Sequence, residues 1–296
     1  MLATLVDTVG PTLFRHSILK HAIADVSLDA KIFKGKSSYI RYRVVGNKGP
    51  TLVICPDPPV MIEHYDQLAR QLVKNGYRVI IFEMPGFGYS LPKLGFNFRL
   101  DGITLDIVRL LKELDMGPHF LMFPCVPGFV AINLADRFPD MIAGLVLVQI
   151  PNQQQALNWR HSRDPKGILQ TPVVGQALLQ MVKKKRIKDW YATALGDQGL
   201  LDRFTTPSTK ALNHGACFCL ASGFQRFFNE LPDWQPIDKP TLIIWGSKDS
   251  THEHTDKQST HDLVCNASYV EMEGSGHFPD LEESEKMVEL LNQFIF

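Results

Sequence analysis

With 296 residues, 45% of them hydrophobic, the chain can bury one large core, and length alone allows one elaborated domain or two. Lys plus Arg and Asp plus Glu balance at 31 each, so a net formal charge of zero removes any bulk attraction for nucleic acid or an anionic membrane and favours a small-molecule partner. Five cysteines, an odd number with no C-x-x-C pair, argue against a disulfide framework or a structural zinc site and fit a reducing, cytoplasmic setting.

Met1 to Phe14 is mildly apolar but shows neither a basic leader region nor a small-residue cleavage site, and no apolar run reaches the ~18 residues of a membrane span. Phe14, Ile18 and Ala22 recur at helical spacing, which predicts an amphipathic helix over residues 12–25. Alternation from Ser38 to Val45 predicts a half-exposed antiparallel strand, and Thr51 to Cys55 a short buried one. Pro56-Asp57-Pro58-Pro59 is a stiff loop, Ile62 to Asn75 a helix, and Tyr77 to Phe82 a further buried strand. After a turn-rich loop, Glu83 to Ser90, come a helix over Leu100 to Leu114 and a strand over His119 to Phe123. That strand breaks at Pro124-Cys125-Val126-Pro127 and resumes as a helix from Gly128 to Arg137. Leu145 to Ile150 is another buried strand, and the alternation to this point is that of a doubly wound, mostly parallel sheet.

Between about 151 and 238 the alternation stops, and several aromatic-rich helical stretches read as an inserted helical cap. Thr241 to Trp245 restores the strand pattern, Ser268 to Met272 is the last strand, and Glu283 to Phe294 closes the chain as a helix. The expected organisation is therefore 1–150 as N-terminal helix and first part of an α/β core, 151–238 as cap, and 239–296 as the remainder of the core.

Three stretches carry chemistry. The strand, sharp turn and helix around Cys125 place a thiol where a nucleophile elbow normally carries serine, although Phe123 and Pro127 replace the two flanking glycines of G-x-S-x-G. Trp245-Gly246-Ser247-Lys248-Asp249 and Gly274-Ser275-Gly276-His277 follow it in the order nucleophile, acid, histidine. With Glu83-x-Pro85-Gly86-x-Gly88-x-Ser90, they make nearly the whole chain after Ser38 resemble the α/β-hydrolase family, in its capped branch.

The resemblance implies an α/β-hydrolase fold and a triad in which Cys125 attacks, His277 moves the proton and Asp249 fixes the imidazole. A helix N-terminus and a neighbouring imidazole are expected to lower the Cys125 pKa. Val126 is expected to supply one oxyanion amide. The position that normally supplies the second is Pro58, which has no N–H, and losing one such donor removes ~3 kcal/mol of transition-state stabilisation. Asp57, Pro58, Trp159, Phe224 and Phe227 are the expected substrate contacts, under an apolar roof.

His252, His254 and His261 read as solvated loop residues, Lys183 to Arg186 as the wet face of a cap helix, and Cys217 and Cys219 as core or pocket lining. No metal or other cofactor is expected. The pattern points to a cysteine-dependent hydrolase or acyltransferase acting on an apolar ester, lactone or thioester through an acyl-Cys intermediate. A cofactor-free lyase or isomerase and a noncatalytic ligand-binding protein remain open on the same scaffold. Substrate identity, acyl acceptor and oligomeric state are not written in the pattern.

Overall fold

The computed structural model describes residues 2–24, 28–221, 225 and 227–296. Two helices come first, α1 (Leu2–Leu13) and α2 (Arg15–Ile23). The single helix expected over 12–25 is thus broken at Phe14, which stays 65% exposed while Ile18 and Ala22 turn inward. Residues 25–27 lie outside the described residues.

The sheet order is β1 (Lys31–Lys34), β2 (Ser38–Val45), β4 (Arg78–Phe82), β3 (Thr51–Ile54), β7 (His119–Met122), β8 (Ile142–Val148), β10 (Thr241–Gly246) and β11 (Ala267–Met272), with a two-residue β6 (Leu91–Pro92) pairing with β2 off this path. β1, β2 and β4 pair antiparallel and every pairing from β4 to β11 is parallel. β3 and β10 are buried at every position, as the continuous apolar runs of interior parallel strands require. The crossover helices are α3 (Asp66–Lys74), α4 (Leu100–Leu114) and α5 (Pro127–Arg137), with a closing α9 (Ser284–Ile295); α3 packs on α9, and α4 on α5.

Two departures from the sequence reading have local causes. β2 is mostly buried, not half-exposed: Arg41 and Arg43 are fully covered because Arg41 pairs with Glu63 and Glu83, and Arg43 with Asp66. The Glu83 carboxylate also accepts from the Tyr89 amide at 2.7 Å, so the longer acid there spans from the turn to Arg41. The cap, α6 (Gln153–Arg163), α7 (Val174–Ala194) and α8 (Leu201–Asn213), is not purely helical either. A two-residue strand, β9 (Cys217–Phe218), pairs with β5 (Phe87–Gly88) in the turn-rich loop and stitches the cap to the core.

Candidate active site

The parallel strands deliver their carboxyl ends to one edge, where the connecting loops meet under the cap. Cys125 sits between β7 and α5 with φ of 51°, in the left-handed region where a side chain is strained. Its amide donates to the Val148 carbonyl at 2.7 Å, and its carbonyl accepts from Gly128 at 2.9 Å, which over-determines the turn. Gly128 supplies the close approach that the replaced glycine would have given: a Cβ there would meet Ile150 Cδ1 at 2.5 Å. Phe123 turns its ring to an edge contact with Phe82 at 5.5 Å, within the core.

Asp249, after β10, and His277, after β11, meet at 2.8 Å between Oδ2 and Nδ1. The other Asp249 oxygen accepts from the Thr251 amide at 2.8 Å and the Thr251 hydroxyl at 2.6 Å, so the acid both caps its own loop and orients the imidazole. The His277 amide donates to Ala194 at the end of α7 at 2.7 Å, tying the histidine loop to the cap. Gly276 permits this approach, since a Cβ there would lie 2.2 Å from the Ala194 carbonyl.

Asp57, expected as a substrate contact, also joins the charged groups around His277. The loop after β3 buries its carboxylate, 4% exposed, with Oδ2 at 3.5 Å from His277 Nε2, an ion-pair separation. Burial raises the Asp57 pKa, opposed in turn by His277, by the Val126 amide and by the Cys125 thiol. The amide expected to await an oxyanion therefore already faces a carboxylate.

This arrangement overturns the expectation of a lowered thiol. Burial first, and the Asp57 charge second, push Cys125 up to about 12 against the pull of His277. For His277, burial alone would lower the pKa, but Asp249, Cys125 and Asp57 outweigh it and hold it well above the usual range. Burial likewise disfavours the Asp249 charge, yet His277 holds that carboxyl well below its usual range. These shifts favour a neutral thiol on Cys125 and an imidazolium on His277, with the Asp249 carboxylate on one side of the ring and the Asp57 carboxyl on the other.

His252 is not the solvated loop residue its sequence context suggests. It is 2% exposed, stacked between Trp159 at 5.2 Å and His277 at 5.3 Å, and burial, outweighing the attraction of Asp249, pushes it down to about 3. Cys125, His252 and His277 present donor atoms within 4.8 Å of one another. The two stacked imidazoles differ in plane by only 6°, so their in-plane lone pairs do not converge on one point, and the set fits a tetrahedral metal poorly.

Above the thiol lies a cavity of about 170 Å³, with Asp57, Pro58, Cys125 and Val126 at its floor. Its apolar wall includes Trp159, Trp190, Phe218 and Phe228. Trp159, an expected substrate contact, lines this cavity, with Nε1 donating to the Thr251 carbonyl at 2.9 Å. Phe227 does not line the cavity: it is fully buried against Phe228, whose ring takes the wall position. Phe224 lies outside the described residues. Cys217 and Cys219 are buried, and Cys55 is buried beside the same loop. Trp190, 5.4 Å from the His277 ring, was visible in the sequence only as one cap aromatic among several.

The profile of the α/β-hydrolase fold matches residues 50–165, which contain Asp57, the elbow and the start of the cap. The chain has the α/β-hydrolase fold. The chain is 24% identical to epoxide hydrolase 4 of Homo sapiens over 270 residues, 82% of this chain and 74% of that one. Its fold is that of epoxide hydrolase A from Mycobacterium thermoresistibile, with a TM-score of 0.74, 16% identity, and coverage of 90% of this chain and 98% of the other. A thermophilic esterase from Thermogutta terrifontis superposes with a TM-score of 0.66 at 16% identity, over 90% and 98% of the two chains.

Proposed function

We propose that this hydrolase is a cysteine-dependent enzyme that cleaves an ester or thioester, or opens a lactone, through an acyl-Cys125 intermediate. The observation that carries the reading is Cys125 at a left-handed elbow beside the Asp249–His277 pair. Asp57 supplies what the raised thiol and Pro58 withhold. As sulfur attacks the carbonyl carbon, the thiol proton passes to the Asp57 carboxylate. The carboxylic acid so formed donates to the developing oxyanion alongside the Val126 amide, in place of the amide that Pro58 lacks. The His277 imidazolium gives its proton to the departing alcohol or thiol. Neutral His277 then takes a proton from the attacking water, the acyl group leaves as the acid, and Cys125 recovers its proton from Asp57.

The test is intact-mass measurement after mixing with p-nitrophenyl hexanoate and with a hexanoyl thioester. The expected result is one hexanoyl group on Cys125, absent from Cys125→Ala. Asp57 facing the Val126 amide also favours a second reading, acid–base chemistry by Asp57 and His277 without a covalent intermediate. Turnover retained in Cys125→Ala, with no adduct in the unsubstituted enzyme, selects that reading.

A further inference from the structure

The cavity wall is apolar, but its rim is not: Arg160, Arg163 and Arg186 all border the same cavity as Cys125. Their charges are compensated unequally. Arg160 lies near the buried Asp164, donates to the Gln225 carbonyl at 2.9 Å, and donates to Asn229 Oδ1 at 2.8 Å. The Asp164 oxygens themselves accept from the amides of Ile168 and Leu169, each at 2.9 Å. Asp189, the other acid at the rim, is paired with Lys185 at 2.6 Å.

Arg163 and the exposed Arg186 border the same cavity, close enough to act on each other as like charges, and neither is in an ion pair among the described residues. Arg163 is held in place by donating to the Thr251 carbonyl and by lying 5.8 Å over the Trp190 ring. The nearest acid that steadies it, Asp249, is already bonded to His277, and Arg186 acts on it as a like charge. Two donors on lining residues, Nε1 of Trp190 and Nε of Arg160, are buried and have no acceptor among the described residues. Like charges held together beside acceptor-starved N–H groups lack one thing, an anion rich in acceptor oxygens.

We propose that the rim of the cavity is an anion subsite, and that the substrate is bipolar: a carbonyl to be attacked at Cys125, a short apolar section against Trp159, Trp190 and Phe228, and a carboxylate or phosphate seated between Arg163 and Arg186. The identity of the reacting end rests on the acyl-transfer reading above; the anion subsite does not. A carboxylate would belong to the acyl part, as in a half-ester of a dicarboxylic acid, and a phosphate to the leaving group, as in an ester of a short phosphorylated alcohol.

Binding to the full chain carrying Cys125→Ala, measured by calorimetry, separates these without using turnover. Monomethyl adipate is compared with methyl hexanoate, and 4-(hexanoyloxy)butyl phosphate with butyl hexanoate. The charged member of at least one pair is expected to bind ten- to a hundredfold more tightly, as hydrogen bonds to a charged group allow. Adding Arg163→Gln and Arg186→Gln together should bring that ratio close to one, with circular dichroism and the melting curve checking the fold. Equal affinities within both pairs, or a preference that survives both substitutions, overturns the proposal. A preference that disappears as expected, with no acyl adduct on Cys125 in the unsubstituted enzyme, leaves the anion subsite standing and removes the acyl-transfer reading instead.

Discussion

Replacing Asp57 by asparagine is expected to move two reactions of Cys125 in opposite directions. A thiol held at about 12 is ionised at pH 7 to a fraction on the order of 10⁻⁵. The Asp57 charge is the second cause of that elevation after burial, and removing a like charge within a few ångströms lowers a pKa by about one to two units. Alkylation by iodoacetamide has no oxyanion and reads the thiolate population, so at pH 7 to 8 the variant should alkylate about ten to a hundred times faster. Acyl transfer should slow, because the amide of asparagine can donate to an oxyanion but cannot receive the thiol proton. Asp57→Ala, which loses both functions, should fall further, by about 10²- to 10³-fold in kcat for the donor alone. Alkylation is followed by mass spectrometry on Cys125, and turnover with p-nitrophenyl hexanoate under identical buffer. If turnover rises together with alkylation, Asp57 is an obstruction on the Val126 amide and not a proton acceptor, and the mechanism above is wrong.

His277→Ala should abolish steady turnover, yet with a p-nitrophenyl ester, whose leaving group needs no acid, it should release one burst of nitrophenolate and retain the acyl group on Cys125; stopped-flow absorbance with intact mass decides this. Asp249→Asn should bind ligand normally but lose about 10³- to 10⁴-fold in kcat through the wrong imidazole tautomer, read from steady-state kinetics. For His252 the folded pKa, about 3, lies below the unfolded value near 6.5, so the unfolded chain binds the extra proton between them and stability falls as pH drops through that window. Urea midpoints of His252→Gln between pH 6.5 and 3 should therefore fall less steeply than those of the unsubstituted chain, the full difference being up to ~4–5 kcal/mol at 1.36 kcal/mol per unit. Trp190→Ala should weaken binding of hexanoyl esters, measured by calorimetry on the Cys125→Ala background, while Phe227→Ala should act mainly on stability, since its ring meets Phe228 and not the cavity.

The fold was legible because its interior strands carry continuous apolar runs after a polar first residue in β3, β4, β7 and β10, and its crossovers carry a helical period. β3, β4 and β10 were read within a residue or so of their ends, and α4 was bounded correctly at Leu100 and Leu114. β1 was missed since Lys31-Ile32-Phe33-Lys34 is too short to show a period, and β9 because two residues have none. Arg41 and Arg43 misled in another way. In a single sequence, polar residues at alternate positions mean exposure; their burial depends on Glu63, Glu83 and Asp66, which the sheet and α3 bring to them from elsewhere.

At the site the same distinction separates what could be read from what could not. Cys125, Asp249 and His277 could be singled out in the sequence because each lies in a local motif that also fixes its backbone, and the fold brings the three side chains together. The electrostatics run the other way. The spacing gave Cys125 a helix N-terminus and an imidazole, both of which favour a thiolate, and neither is absent from the structure. They are outweighed by burial under the cap and by a carboxylate 68 positions earlier in the chain, terms that exist only once β3, β7 and α7 are packed together. Pro58 declared the loss of one oxyanion amide openly. That its neighbour Asp57 is aimed at the surviving amide, close enough to oppose ionisation of the thiol and, in the proposed mechanism, to accept the thiol proton, depends on the path of one loop. A departure from a motif announces a missing function in the sequence, whereas the group that replaces it is found where the fold closes.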